Sequence, residues 1–184
     1  MTGPRGIRFR AKPRAGDAPA LRRLVASTGV FYPQERAVAL ELLEARLAQG
    51  PKCGYSFVFA ERGTELLGYA AWGQTPLTHS TFDLYWIAVG PAAQGQGVGS
   101  ALLRAVEQAV AVRGGGHLYI ETSSRPVYVR TRRFYRQAGY RQVARLRDFY
   151  APRDDKVMFC KVIAAAPMPG AVPKTRRRPA ARQP

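Results

Sequence analysis

Residues 87–100 read Ile87-Ala88-Val89-Gly90-Pro91-Ala92-Ala93-Gln94-Gly95-Gln96-Gly97-Val98-Gly99-Ser100, an apolar strand running into a turn of alternating glycines. Ala101, Leu102, Leu103, Ala105, Val106, Ala109 and Val110 then recur at helical spacing up to Gly114-Gly115-Gly116, so the segment reads as strand, tight turn and helix. Glycines lack a Cβ and let backbone N–H groups converge on an anion, to which the start of the next helix adds partial positive charge. A pyrophosphate fits such a turn. Ser100 offers a hydroxyl, and no carboxylate intervenes between Asp83 and Glu107 to repel it. Phosphate chemistry of the Walker type needs a lysine after the glycines, and none is there. The dinucleotide fingerprint needs GxGxxG, whereas the spacing here is GxGxG.

Upstream of this segment, Phe82–Val89 (FDLYWIAV) is a strand with no polar face near its end, as expected of a central strand. Tyr55–Ala60 and Leu66–Trp72 flank a short turn at Gly63 and predict a hairpin. Before them, Ile7, Phe9 and Ala11 alternate with basic residues as a first strand. Asp17 stands where a cap would open a helix bearing Leu21, Leu24 and Val25. Pro33 opens a second helix, with Val38, Leu40, Leu42, Leu43 and Leu47 apolar, which stops at Gly50-Pro51. Downstream lie a strand His117–Glu121, a short helix Thr131–Ala138 closed by Gly139, and two strands, Gln142–Tyr150 and Lys156–Ile163. Strands in consecutive runs mixed with single crossovers predict an α/β fold with a sheet of mixed direction.

The chain of 184 residues suffices for one domain, expected over residues 7–163 between a flexible start at 1–6 and a disordered basic tail at 164–184. Its 29 Lys and Arg against 12 Asp and Glu give a formal charge of +17. Part of that excess is the Ala/Pro/Arg-rich tail with Lys174, Arg176, Arg177, Arg178 and Arg182, the segment through which nucleic acid would bind. A second concentration, Arg125, Arg130, Arg132, Arg133 and Arg136, suits phosphates of any origin. The basic N-terminus has no apolar run behind it, and no stretch is long enough to span a bilayer, so neither a secretory signal nor a membrane anchor is expected. Cys53 and Cys160 lack a CxxC or a nearby histidine pair and read as buried thiols of a reducing, cytoplasmic compartment. His79 and His117 are isolated, so no metal site is expected.

The glycine segment resembles the Q/RxxGxG/A motif of the GNAT acetyltransferases, with Gln94, Gly97 and Gly99 in the motif positions. A second segment, Phe134-Tyr135-Arg136-Gln137-Ala138-Gly139-Tyr140, resembles the family's FYxxxGF/Y stretch, in the right order and at a fitting distance. The runs TPLTHSTFDLYW, YVRTRRFY and DFYAPRDDK are similar to a bacterial subgroup of that family. The resemblance covers about residues 7–163. It implies a mostly antiparallel sheet flanked by helices, with two splayed central strands, and acetyl-CoA as cosubstrate without a metal. It further implies that the backbone of Ile87, Ala88 and Val89 pairs with the pantetheine arm. Gln94, Gly95, Gln96, Gly97, Val98, Gly99 and Ser100 would wrap the pyrophosphate, with Tyr128 beside the cofactor.

By the same resemblance Tyr135 is the general acid, and the chemistry asks for one: an amine attacking a thioester expels a thiolate, and a phenol with pKa about 10 stays protonated at neutral pH. An alkylamine is mostly ammonium there, so a base is also needed. Glu121, at the end of HLYIE, is the first candidate; Asp83 and Tyr85 on the preceding strand come next. The expected activity is direct acetyl transfer from acetyl-CoA to a small-molecule or peptide amine, by a monomer or homodimer. A basic nucleic-acid-binding protein and a non-catalytic acyl-CoA sensor are the alternatives.

Overall fold

The computed structural model describes residues 6–167. The predicted order of elements is the observed one: β1 (Arg8–Arg10), α1 (Asp17–Ser27), α2 (Pro33–Gln49), β2 (Ser56–Arg62), β3 (Glu65–Gln74), β4 (Thr81–Val89), α3 (Val98–Val112), β5 (Gly116–Ser123), α4 (Val129–Gln137), β6 (Arg141–Ala151) and β7 (Asp154–Ile163). All but residue 6 of the flexible start expected at residues 1–6, and most of the basic tail, lie outside the described residues. Among those described, no helix is long and apolar enough to cross a membrane.

The strands form one sheet in the order β1-β2-β3-β4-β5-β7-β6, antiparallel at every pairing except β4 with β5. Apolar residues alternate across the sheet and divide the core between its faces. Leu21, Leu24 and Val25 of α1 and Ala39, Leu42 and Leu43 of α2 pack with Phe57, Phe59, Tyr69 and Ala71 on one face. α3 and α4 cover the other face, where Leu102, Leu103, Val106 and Tyr135 meet Phe82, Leu84, Leu118, Ile120 and Phe159. Of the apolar residues expected along α2, Val38 and Leu47 stay exposed, since only its 39/42/43 stripe faces the sheet.

Asp17 does not cap α1. It is the first helical residue, and its carboxylate accepts hydrogen bonds from the backbone N–H of Arg14 and the guanidinium of Arg10. Arg10 also donates to Glu61 on β2 and stacks over Phe59 at 4.3 Å, so a residue that reads as the polar side of an edge strand is buried by two carboxylates and a ring. Burial works to raise the Glu61 pKa, but hydrogen bonds from Arg10 and Arg8 and the charges of Arg10 and Arg14 outweigh it and lower the pKa. Glu61 therefore contributes stability above the ordinary glutamate pKa, about 4.3, and that contribution disappears as pH falls through its lower folded value. Arg10→Ala takes the shared partner from both carboxylates, leaving Glu61 to Arg8 and Asp17 to the N–H of Arg14, and is expected to lower unfolding free energy by about 2 kcal/mol, read from urea denaturation at pH 7. A loss under 1 kcal/mol would contradict the assigned role.

Candidate active site

β4 and β5 run parallel and pair only from Thr81↔His117 to Leu84↔Ile120. Past that point β4 pairs with β3 alone, and the two strands diverge around an open groove. The register of β4 against β3 slips here: Trp72 faces Leu84 and Ala71 faces Trp86, so Tyr85 is an extra residue in β4. The bulge reverses the parity of the strand. Phe82 and Leu84 point into the α3/α4 core before it, Ile87 and Val89 after it. Asp83 and Tyr85 are thereby left on the face that carries α1 and α2.

The groove is a cavity of about 1750 Å3 that brings together most of the residues singled out from sequence: Asp83, Ile87, Ala88, Val89, Gln94, Gly95, Gly97, Gly99, Ser100, Glu121, Tyr128 and Tyr135 line it. Gly95 and Gly97 adopt φ of 74° and 78°, conformations that disfavour a side chain. Gly97 precedes Val98 at the start of α3, and no side chain caps that end. The first-turn N–H groups of α3 therefore form an open anion cradle beside the unpaired edge of β4. Two motif residues stand apart from the cavity wall. Gln96 turns its amide to Ala92 O and accepts from Arg62, while Val98 is buried in the core at 1% exposure. Gln94 donates to the carbonyl of Val89 at 3.0 Å and ties the turn to the strand end.

Tyr135 is 4% exposed, packed against Phe134, Tyr140 and Phe159 on α4's inner side, and reaches the cavity wall. Burial, with a smaller contribution from Tyr128, pushes its phenol well above the ordinary tyrosine range, so it is protonated at every physiological pH. Tyr128 ends the 3-10 turn Pro126–Tyr128; its hydroxyl donates to Val30 O at 3.4 Å, and its pKa is raised by burial and by Glu35. Glu121 is the first β5 residue past the last β4 pair, half-exposed and ion-paired with Lys156 of β7. Asp83 accepts a 2.6 Å hydrogen bond from Thr75.

Several lining residues escaped the sequence reading. Tyr32 and Glu35 come from the start of α2, where Glu35 accepts from the N–H of Tyr32 at 2.6 Å. Tyr150 and Asp154 come from the β6–β7 hairpin, where the register jumps from Leu146↔Lys156 to Ala151↔Asp154 and residues 147–150 leave the ladder. Arg125 joins the three segments: its guanidinium lies 4.3 Å over Tyr32 and 5.2 Å over Tyr128, and pairs with Asp154 at 3.4 Å. The hydroxyls of Ser123 and Ser124 are committed to β7, the first donating to Asp154 and the second accepting from the N–H of Asp155. Cys53, in a 3-10 turn, and Cys160, on β7, are free thiols that are half-buried rather than buried. Among the described residues no group of three or more His, Cys, Asp or Glu could hold a metal ion.

Comparison with known proteins agrees with this geometry. Residues 53–142 match the family model of the acetyltransferase (GNAT) domain. Curated protein sequences give no significant match. Among solved structures, a GNAT-family protein from Desulfovibrio desulfuricans is 46% identical, with TM-score 0.84 over 86% of this chain and 99% of that one. The ribosomal-protein-S18-alanine N-acetyltransferase of Escherichia coli shares the fold at 18% identity, with TM-score 0.68 over 88% and 96% of the chains. An aminoglycoside 6'-N-acetyltransferase solved with coenzyme A shares it at 19%, with TM-score 0.67 over 88% and 99%. Identity of 46% along almost the full length of the Desulfovibrio protein makes this chain, with its splayed β4 and β5, a member of the GNAT family of acetyltransferases.

Proposed function

We propose that the protein transfers the acetyl group of acetyl-CoA to a primary amine by direct attack. The observation that carries the reading is the groove between β4 and β5, which ends on the uncapped N-terminus of α3. In this reading the first-turn amides of α3, with Gly95, Gly97, Gly99 and Ser100, hold the pyrophosphate, and the free edge of Ile87, Ala88 and Val89 pairs with the pantetheine arm. A structural neighbour that shares the fold was solved with coenzyme A. Val98 contributes only its backbone, its side chain being core, and Gln96 braces the turn from outside.

Acetyl-CoA binds first, and the amine enters from the side of Asp83 and Glu121. Glu121, directly or through water, removes the ammonium proton, and the free amine adds to the thioester carbonyl. A β4 backbone N–H near Val89 faces the developing oxyanion. As the C–S bond breaks, Tyr135 donates its proton to the departing sulfur. Because burial raises its pKa above that of an ordinary thiol, about 8.5, the phenolate is short-lived and takes up the second proton that the adduct nitrogen loses as the amide forms, while the proton held by Glu121 leaves to solvent. The products are an N-acetylated amine and the free thiol of coenzyme A, with atoms balanced and no acyl-enzyme required. Incubating the purified protein with acetyl-CoA and pooled amines, followed by thiol titration and product mass, is expected to show steady thiol release above the no-acceptor control. Absence of release with every acceptor would overturn the reading.

A further inference from the structure

The charge of the cavity runs against that of the chain. Glu35, Asp83, Glu121 and Asp154 line it, four of the chain's 12 acids, whereas among the described residues only Arg125 and Arg130 of the lysines and arginines do. Seven of the nine tyrosines line it as well. Carboxylates set among phenol rings attract ammonium groups by charge and by the rings' negative faces. One carboxylate suffices to deprotonate an acceptor, so the others bear on what the acceptor is.

Their partners separate them. Glu121 is paired with Lys156, and Asp154 with Arg125. Among the described residues neither Asp83 nor Glu35 has a cationic partner. Asp83 lies opposite Tyr119 in the β4–β5 register, next to Tyr85, whose ring meets Tyr55 edge-on at 5.4 Å. Burial raises the pKa of Tyr85, and the nearby Asp83 charge adds to it. Strand spacing and rise put the Cα atoms of Asp83 and Glu121 about 8 Å apart on one face. At standard bond lengths a chain of about five methylenes separates two ammonium groups by roughly 7 Å.

Building on acetyl transfer as the activity, we propose that the acceptor is an aliphatic diamine or polyamine, whose reacting nitrogen lies at Glu121 while a second ammonium sits on Asp83 between Tyr85 and Tyr119. The second ammonium selects the substrate and fixes which nitrogen reaches the thioester. Glu35, which lines the same cavity as Tyr128 and Tyr150, gives a longer polyamine a third contact.

The test compares 1,5-diaminopentane with n-pentylamine, equal in reach but lacking the second charge, using the full chain with acetyl-CoA. The expected kcat/KM ratio is about 10- to 100-fold in favour of the diamine, carried by KM, as befits one charge-assisted contact. In Asp83→Asn, which keeps an acceptor for the Thr75 hydroxyl, the ratio falls to near one. Calorimetric titration of both amines into the protein saturated with coenzyme A gives the same comparison without turnover. A tenfold preference in binding that Asp83→Asn erases supports the diamine site even if no thiol is released, an outcome that would sink acetyl transfer alone. Equal affinities and equal kcat/KM for the two amines, or a lysine-bearing peptide acetylated faster than the diamine, overturn the proposal and leave acetyl transfer standing.

Discussion

Tyr135→Phe is expected to lower kcat by about 10²- to 10⁴-fold, the usual yield of a positioned general acid, while the affinity for acetyl-CoA stays within about twofold. The change removes one oxygen. The ring keeps its packing against Phe134, Tyr140 and Phe159, and no hydrogen bond contributes to the environment that sets the phenol's pKa, so the folded protein loses little. Because burial holds the Tyr135 pKa far above neutrality, its titration should add no fall in rate between pH 7 and 10. Steady-state kinetics together with calorimetric acetyl-CoA binding decide the matter: an unchanged kcat would remove Tyr135 from the chemistry. Tyr128, also lining the cavity and close enough to influence Tyr135, would then be the next phenol to replace.

Ser100→Asp should separate stability from binding by moving them in opposite directions. Ser100 is the third residue of α3, whose N-terminus has no side-chain cap. A carboxylate in a first turn accepts from free N–H groups and opposes the helix dipole favourably, worth about 0.3–1 kcal/mol. The melting temperature should therefore hold or rise by about 1–3 °C. The same carboxylate would occupy the cradle assigned to the pyrophosphate and repel what it did not displace. Affinity for coenzyme A should fall at least about 100-fold, measured by calorimetry at low salt. A variant that melts higher and binds as before would show that the phosphates lie elsewhere.

What could be read from the sequence was local. The strand, glycine turn and helix at 87–110 announce themselves through a change of period and through glycines, two of which carry positive φ. The pairing of that turn with FYRQAGY singled out Tyr135, which lines the cavity. Features that depend on cross-strand register were not legible. Nothing in FDLYWIAV marks Tyr85 as an extra residue, because the slip exists only relative to β3. Asp17 reads as a cap from its position alone; only the proximity of Arg10 on β1 diverts its carboxylate. Tyr32, Glu35, Tyr150 and Asp154 converge from segments more than a hundred residues apart in the chain, and their sole local signals are a Tyr-Pro-Gln-Glu helix start and an Asp-Phe-Tyr run in an otherwise basic strand. Within the glycine segment, helical phase determines that Val98 is core while Gly99 and Ser100 face the groove, a distinction the motif does not make.

Among the described residues, the four rungs from Thr81↔His117 to Leu84↔Ile120 are the only ladder joining the two halves of the sheet. The protein is in effect a pair of jaws zipped at the hinge, with α3 laid across the seam. A ligand hydrogen-bonded to the free edges of both strands would act as an eighth strand stitching the halves together, coupling stiffness of the framework to occupancy of the groove.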